Sequence, residues 1–158
     1  MIDALLANQE LEGLLRILLA GLIGIVVGFE REFDRKPAGA RTYGLVSMGA
    51  ATFTVIAILA FGEGDPASRV AAQIITGIGF LGAGTILQTK RRVLGLTTAA
   101  GMWMMAAVGM AIGSGLYLVG IGGGIAIFLL LQFLEPGRLV RRYGREGDDG
   151  KEPRSSER

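Results

Sequence analysis

The side chains with chemistry to offer gather in three settings. Glu30-Arg31-Glu32 with Asp34 closes the first apolar stretch, Asp65, Arg69, Gln73 and Thr76 open the third, and glycines recur at helical spacing through much of the rest. If the first helix continues past residue 29, Glu30 and Asp34 share a face, as do Glu32 and Lys36, because residues four apart are neighbours on a helix surface. Glu32 with Lys36 makes an ordinary ion pair. Glu30 with Asp34 brings two carboxylates together, which is unfavourable unless an arginine or a hard cation such as Mg²⁺ neutralises them. Arg31, Arg35 and Arg41 are the nearer neutralisers, with a cation site as the alternative.

In the second setting, Asp65 and Pro66 suit the start of a helix. Arg69, Gln73 and Thr76 follow at i, i+4 and i+7, so they line one face that descends into the apolar segment. Arg16 is a second shallow charge, entering the first segment from the same side. An arginine near the end of a span can snorkel to the headgroups. Gln73 is deeper, so it is expected to face protein or a polar cavity. Structural hydrogen bonding is favoured over a transport path.

The third setting is glycine itself. Gly24 and Gly28, Gly109 and Gly113, and Gly120 and Gly124 each form a GxxxG pair, and Gly77, Gly79, Gly82 and Gly84 surround Phe80 and Leu81. Small residues four apart leave a groove into which a neighbouring backbone fits closely. Packing within one bundle is the expected use, and a homo-oligomer interface is the sharper alternative. Gly77 to Gly82 also matches GxGxxG, but the dinucleotide fingerprint works at a strand-to-helix turn. Inside an apolar helix the match is a coincidence of composition.

The chain contains no Cys and no His. Disulfides, thiolate chemistry, Ser-His-Asp hydrolysis and the usual zinc sites are thereby excluded together. No carboxylate pair lies deep in an apolar segment, so the expectation is a protein that is not an enzyme and carries no cofactor or resident metal. A net charge of +2 and a pI near 9.3 do not point to nucleic acid. The basic residues flank apolar segments, where their default role is orientation and contact with anionic lipid.

The elements that must position these groups follow from the distribution of charge. Half of the 158 residues are hydrophobic (51%) and the mean hydropathy is +0.49, yet the charges are clustered and the stretches between clusters hold almost none. A bilayer selects that pattern. Five apolar segments are expected as helices, at residues 11–29, 43–61, 70–87, 96–112 and 116–134. Each approaches the roughly 17–25 residues that cross about 30 Å of hydrocarbon. Strands are not expected, because no segment alternates as a membrane barrel strand does. The fold class is therefore all-α, a polytopic transmembrane helix bundle of about five spans.

Five spans put three basic groups on one face: Arg31, Arg35, Lys36 and Arg41; Lys90, Arg91 and Arg92; and Arg138, Arg141, Arg142 and Arg145. The other face carries Asp3, Glu10, Glu12, Glu63 and Asp65, with Arg16 and Arg69 as its only cations. The positive-inside bias then sets the N-terminus outside and the C-terminus in the cytoplasm. Four spans would place basic clusters on both faces. No Lys or Arg precedes the first segment, so it is expected to be a retained span and not a signal peptide. Residues 1–137 form the membrane domain, and residues 138–158 form a basic cytoplasmic tail with almost nothing to bury.

Several of these residues coincide with a known pattern. Glu30-Arg31-Glu32, Lys36, Gly39-Ala40-Arg41-Thr42, Asp65-Pro66, Arg69, Ala72-Gln73, the run from Gly77 to Gly84, Val93, Gly95-Leu96-Thr97-Thr98-Ala99-Ala100, Trp103 and Gly109 stand in the order found in the MgtC/SapB membrane proteins. The chain resembles that family from about residue 12 to residue 115. The resemblance implies a bacterial inner-membrane protein, tied to growth in limiting magnesium and, in some members, to virulence. It also implies an accessory or regulatory role more than transport, with other integral membrane proteins as partners beside the lipid bilayer. The longer members add a folded cytoplasmic domain. The sequence here offers only a short polar tail after Pro136, so the short SapB-like members are the nearer match, and nothing that resides in that domain is carried over. A small oligomeric channel or transporter for Mg²⁺ or another cation is the alternative.

Overall fold

The computed structural model describes residues 2–62, 64–90 and 92–133. Five α-helices run in sequence: α1 (Ile2–Phe33), α2 (Ala40–Phe61), α3 (Asp65–Ala83), α4 (Leu96–Gly113) and α5 (Tyr117–Phe133). Short connections force neighbours antiparallel, so the chain passes up and down through the bundle. The expected tail, residues 138–158, lies outside the described residues.

Among the described residues three helices are long and apolar enough to cross a membrane: Asn8–Phe33, Ala40–Phe61 and Leu96–Gly113. A further apolar helix, Tyr117–Phe133, is shorter. The surface agrees with lipid as solvent. Leu118 is 90% exposed and Phe80 82%, and side chains of this size would each lose on the order of 2 kcal/mol if left in water. The fold is that of a multi-pass membrane protein. α3 differs from the other four because Asp65, Arg69, Gln73 and Thr76 interrupt its first three turns, and only Ile78 and Gly82 of this helix are buried.

Helices α2 and α4 form the centre. α2 touches α1, α3 and α4, and α4 touches every other helix. The buried face of α2 is made of small residues, among them Ala40, Gly44, Ser47, Ala50, Ala51 and Ala57. Small residues let backbones approach, which is how helices gain contact energy where lipid supplies no hydrophobic drive. A Cβ at Gly24 would lie 2.5 Å from the Tyr43 carbonyl oxygen, and one at Gly28 would lie 2.6 Å from the Ala40 Cα. These two glycines seat α1 on α2. Gly109 meets the Ser47 carbonyl and Gly113 the Ala51 carbonyl, seating α4 on the opposite side of α2. Gly120 meets Ile112, and Gly124 meets Ile23, which fixes α5. All three GxxxG pairs thus make their close contacts inside one chain.

The third expected segment departs from the sequence expectation in two ways. α3 begins five residues before the expected segment and stops at Ala83, where the Thr85 and Ile86 amides turn back to the Gly82 and Ala83 carbonyls at 3.0 Å each. The residues expected to finish that span instead form a small antiparallel hairpin, β1 (Leu87–Gln88) with β2 (Val93–Leu94). Its register pairs Leu87 with Leu94 and Gln88 with Val93. Gly95 closes the hairpin at φ +86°, against the Thr85 carbonyl where a side chain has no room. That backbone conformation is open mainly to glycine.

Candidate functional site

Helix α1 runs four residues past the expected end and carries Glu30 and Arg31 into the bundle. Both are buried, Arg31 at 2% exposure and Glu30 at 8%. Arg31 Nη1 lies 3.8 Å from Glu30 Oε2, so the carboxylate is neutralised by its own neighbour in the chain. A buried ion pair survives only if its desolvation is offset by close opposite charge and further polar contacts.

Further polar groups stand close by on α2 and, behind it, on α4. Tyr43, wholly buried one turn into α2, donates its hydroxyl to the Thr98 carbonyl at 3.4 Å. The same ring lies within electrostatic reach of Arg31 and Glu30. Gly101 gives the ring its space, because a Cβ there would collide with the Tyr43 hydroxyl. Thr98 is buried and Thr97, its neighbour, is exposed. Ser47 stands one turn beyond Tyr43, also buried, with its hydroxyl lacking a hydrogen-bond partner, as does Arg31 Nε. One end of the bundle therefore holds a polar cluster walled in by helices.

Glu32 reaches the start of α2. Its Oε2 accepts the Ala40 backbone N–H at 3.2 Å, so it caps the start of α2, where free amides and the helix dipole favour a carboxylate. Gly39 makes this possible, since a Cβ there would stand 3.0 Å from the same oxygen. Arg41 is exposed and Thr42 half-buried on the first turn of α2. Among the described residues no three Asp or Glu side chains converge as a metal cage.

At the other end Arg16 links three helices. It pairs with Glu12 at 2.5 Å, donates Nη1 to the Gly113 carbonyl at 3.1 Å and donates Nε to the Tyr117 hydroxyl at 3.2 Å. Its guanidinium also lies over the Tyr117 ring, 5.9 Å from the centroid. The carbonyl it takes is one that the end of α4 leaves unsatisfied.

The polar set of α3 does not join either group. Arg69 pairs with Asp65 at 3.5 Å, with both side chains almost fully exposed, a geometry that contributes little. Thr76 bonds back to the Ala72 carbonyl at 3.0 Å. Gln73 lines a cleft of about 440 Å³ between α2 and α3 with Leu45, Phe53, Ile74, Gly77 and Leu81. It is the one polar side chain there, so Gln73, expected to face protein or a polar cavity, stands exposed in an apolar groove. A Cβ added at Gly77 or Gly79 would meet no atom within 4 Å, whereas Gly82 faces Ala99, and Gly84 lies beyond the last turn of the helix.

Sequence reasoning named Glu30, Arg31 and Thr98 but missed Tyr43, Ser47 and Gly101. A signal was present: Tyr43, Ser47, Ala50 and Thr54 recur at i, i+4, i+7 and i+11, one face of a helix.

Comparison with known proteins places this arrangement. The sequence pattern of the MgtC family matches residues 17–138. YhiD of Escherichia coli (strain K12), whose name provisionally assigns it magnesium transport, is 42% identical over 128 residues, covering 77% of this chain and 60% of YhiD. MgtC of Brucella abortus (strain 2308) is 54% identical over 100 residues, covering 62% of this chain and 42% of that protein. SrpB of Synechococcus elongatus is 46% identical over 129 residues, 73% of this chain and 71% of SrpB. The chain thus spans about half the length of the first two relatives. No solved structure matches it at a significant level. The shared region takes in the buried Glu30–Arg31 pair, the α2 face it meets and the glycine contacts that close the bundle, and the chain belongs to the MgtC family.

Proposed function

We propose that this protein is a non-enzymatic accessory or regulatory component of the bacterial inner membrane, serving adaptation to magnesium limitation by acting on other integral membrane proteins. The observation that carries the reading is the closed centre of the bundle. α1, α2 and α4 meet backbone to backbone at Gly24, Gly28, Gly109 and Gly113, which leaves no width for a hydrated ion. The groove between α2 and α3 offers Gln73 as its single polar side chain. A Mg²⁺ path needs a succession of oxygen ligands to replace tightly held water.

The second reading is transport of Mg²⁺ or another cation by an oligomer, favoured by the name of YhiD and by the position of Gln73. The two readings separate in proteoliposomes. The purified chain is expected to pass Mg²⁺ no faster than empty vesicles, while deletion of its gene slows growth in low magnesium. Flux above the empty-vesicle rate, reduced by Gln73→Leu, would overturn the accessory role.

In this reading α3 is a fifth span and the polar Glu30–Arg31 end faces the cytoplasm. The first and third connections lie at the same end of the bundle, since Tyr43 reaches Thr98, and they carry basic residues as the positive-inside bias requires. The chain has no cysteine, so single probes are clean. Ser114→Cys is expected to react with a membrane-impermeant thiol reagent on intact cells, and Lys90→Cys only after lysis. The reverse pattern would invert the topology.

A further inference from the structure

We infer that the β1–β2 hairpin is a lipid-binding element that lies in the membrane interface and takes anionic phospholipid headgroups. Two opposing requirements place it there. A two-stranded ladder leaves backbone N–H and C=O groups on both outer edges, which hydrocarbon cannot satisfy. Yet Leu87 and Leu94, directly opposite each other in the register and so on one face of the ribbon, are 61% and 51% exposed, and Leu96 is similarly bare. The interface, with water and headgroups above and acyl chains below, meets both demands.

The turn of the hairpin supplies the charge. Lys90 and Arg92 are both exposed. Their geometry is held by Thr89, whose amide donates to the Arg92 carbonyl at 2.8 Å and whose hydroxyl accepts the Arg92 N–H at 3.2 Å. The base is held by Gly95 against Thr85. No acidic residue stands anywhere between Asp65 and Glu135 in the sequence. From neighbouring elements at this end, Glu30 is turned inward beside Arg31, Glu32 caps α2, and Asp34 is half-buried with its Oδ2 enclosed. The positive field of the hairpin is therefore available to phosphate-bearing lipid, and the cross-strand leucine pair gives it an apolar underside. Exposed basic side chains beside an apolar pair match a negatively charged leaflet better than a protein surface, because charged and apolar groups then find their solvent in one place.

The single tryptophan makes this measurable. The full chain carrying Trp103→Phe and Leu94→Trp is reconstituted in phosphatidylcholine vesicles in which either phosphatidylglycerol or phosphatidylcholine bears bromine near the headgroup end of the acyl chains. The introduced tryptophan is expected to emit in the blue and to be quenched by both lipids, more strongly by the brominated phosphatidylglycerol. Adding Lys90→Gln and Arg92→Gln should cut the preference for phosphatidylglycerol by about fivefold per charge removed while leaving the quenching by phosphatidylcholine. Emission typical of an indole in water, without quenching, would overturn the proposal, as would equal quenching by both lipids in the protein with both cations intact. Loss of the quenching in native membrane extract doped with the same brominated lipids would also overturn it, assigning the face to a protein. Leu87→Trp probes the same face should the Leu94 variant fail to fold.

Discussion

Replacing Gly109 with leucine is expected to unfold the bundle at temperatures where the parent protein is stable, with a loss of about 3 kcal/mol. At this position α4 rests on the Ser47 carbonyl of α2, and the Ala50 Cβ lies only 3.0 Å from where a Cβ at Gly109 would stand. Neither neighbour is the end of a flexible side chain, so the two central helices must separate to admit the larger residue. Overpacking a well-filled interior commonly costs about 1–3 kcal/mol, and here the loss extends along the interface on which α1, α3 and α5 also rest. Gly77→Leu is the matched control. The same chemical change is made in α3, but no atom lies within 4 Å of the new Cβ. Thermal unfolding in detergent, followed by the emission of Trp103, should show a large drop in Tm for Gly109→Leu and little change for Gly77→Leu. Equal drops would mean that the glycine contacts are not what closes the bundle.

The second large effect is expected at Arg31. Arg31→Ala strips the Glu30 carboxylate of the charge 3.8 Å away while both positions remain enclosed. Removing one member of a buried ion pair typically costs about 3–5 kcal/mol, because the other charge stays desolvated. The double change Glu30→Gln with Arg31→Met removes both charges at similar volume and is expected to recover most of that loss. Arg41→Ala, on the exposed first turn of α2, should shift stability by less than about 0.5 kcal/mol. A double-mutant cycle with the same unfolding readout gives the coupling energy. Additive single effects, or an Arg31→Ala loss no larger than that of Arg41→Ala, would show that the pair does not hold this end together.

These two expectations have different relations to the amino-acid order. The GxxxG spacing of Gly109 and Gly113 announces a close helix contact, but not the identity of the partner helix. That choice depends on α2 presenting Ser47 and Ala51 at matching depth, a property of two helices jointly. Arg31 gives still less away. Its neighbours Glu30 and Glu32 suggest local ion pairing on a helix surface, and a boundary position would ordinarily be solvated. Burial comes from the packing of α1 against α2 and α4, with Tyr43, 12 positions further along the chain, beside the pair, and no local pattern encodes that distance.

Much was nevertheless written in the order of residues alone. Long uncharged runs separated by basic clusters define apolar helices, because hydrocarbon penalises charge and unpaired backbone groups wherever they fall. The family was legible for the same reason that its motifs are local: Gly39 through Thr42, Gly77 through Gly84 and Gly95 through Ala100 are contiguous strings. Tertiary structure decided what contiguity cannot express. It set Glu32 at the start of α2 as its cap, gave Arg16 to the end of α4, and put Gln73 in an apolar groove. It also ended α3 early enough for a hairpin to form. Solvent preference is a sum over single residues, and one dimension suffices to read it. Contact between distant side chains depends on the depth, rotation and separation of whole helices, and these exist only once the helices have met.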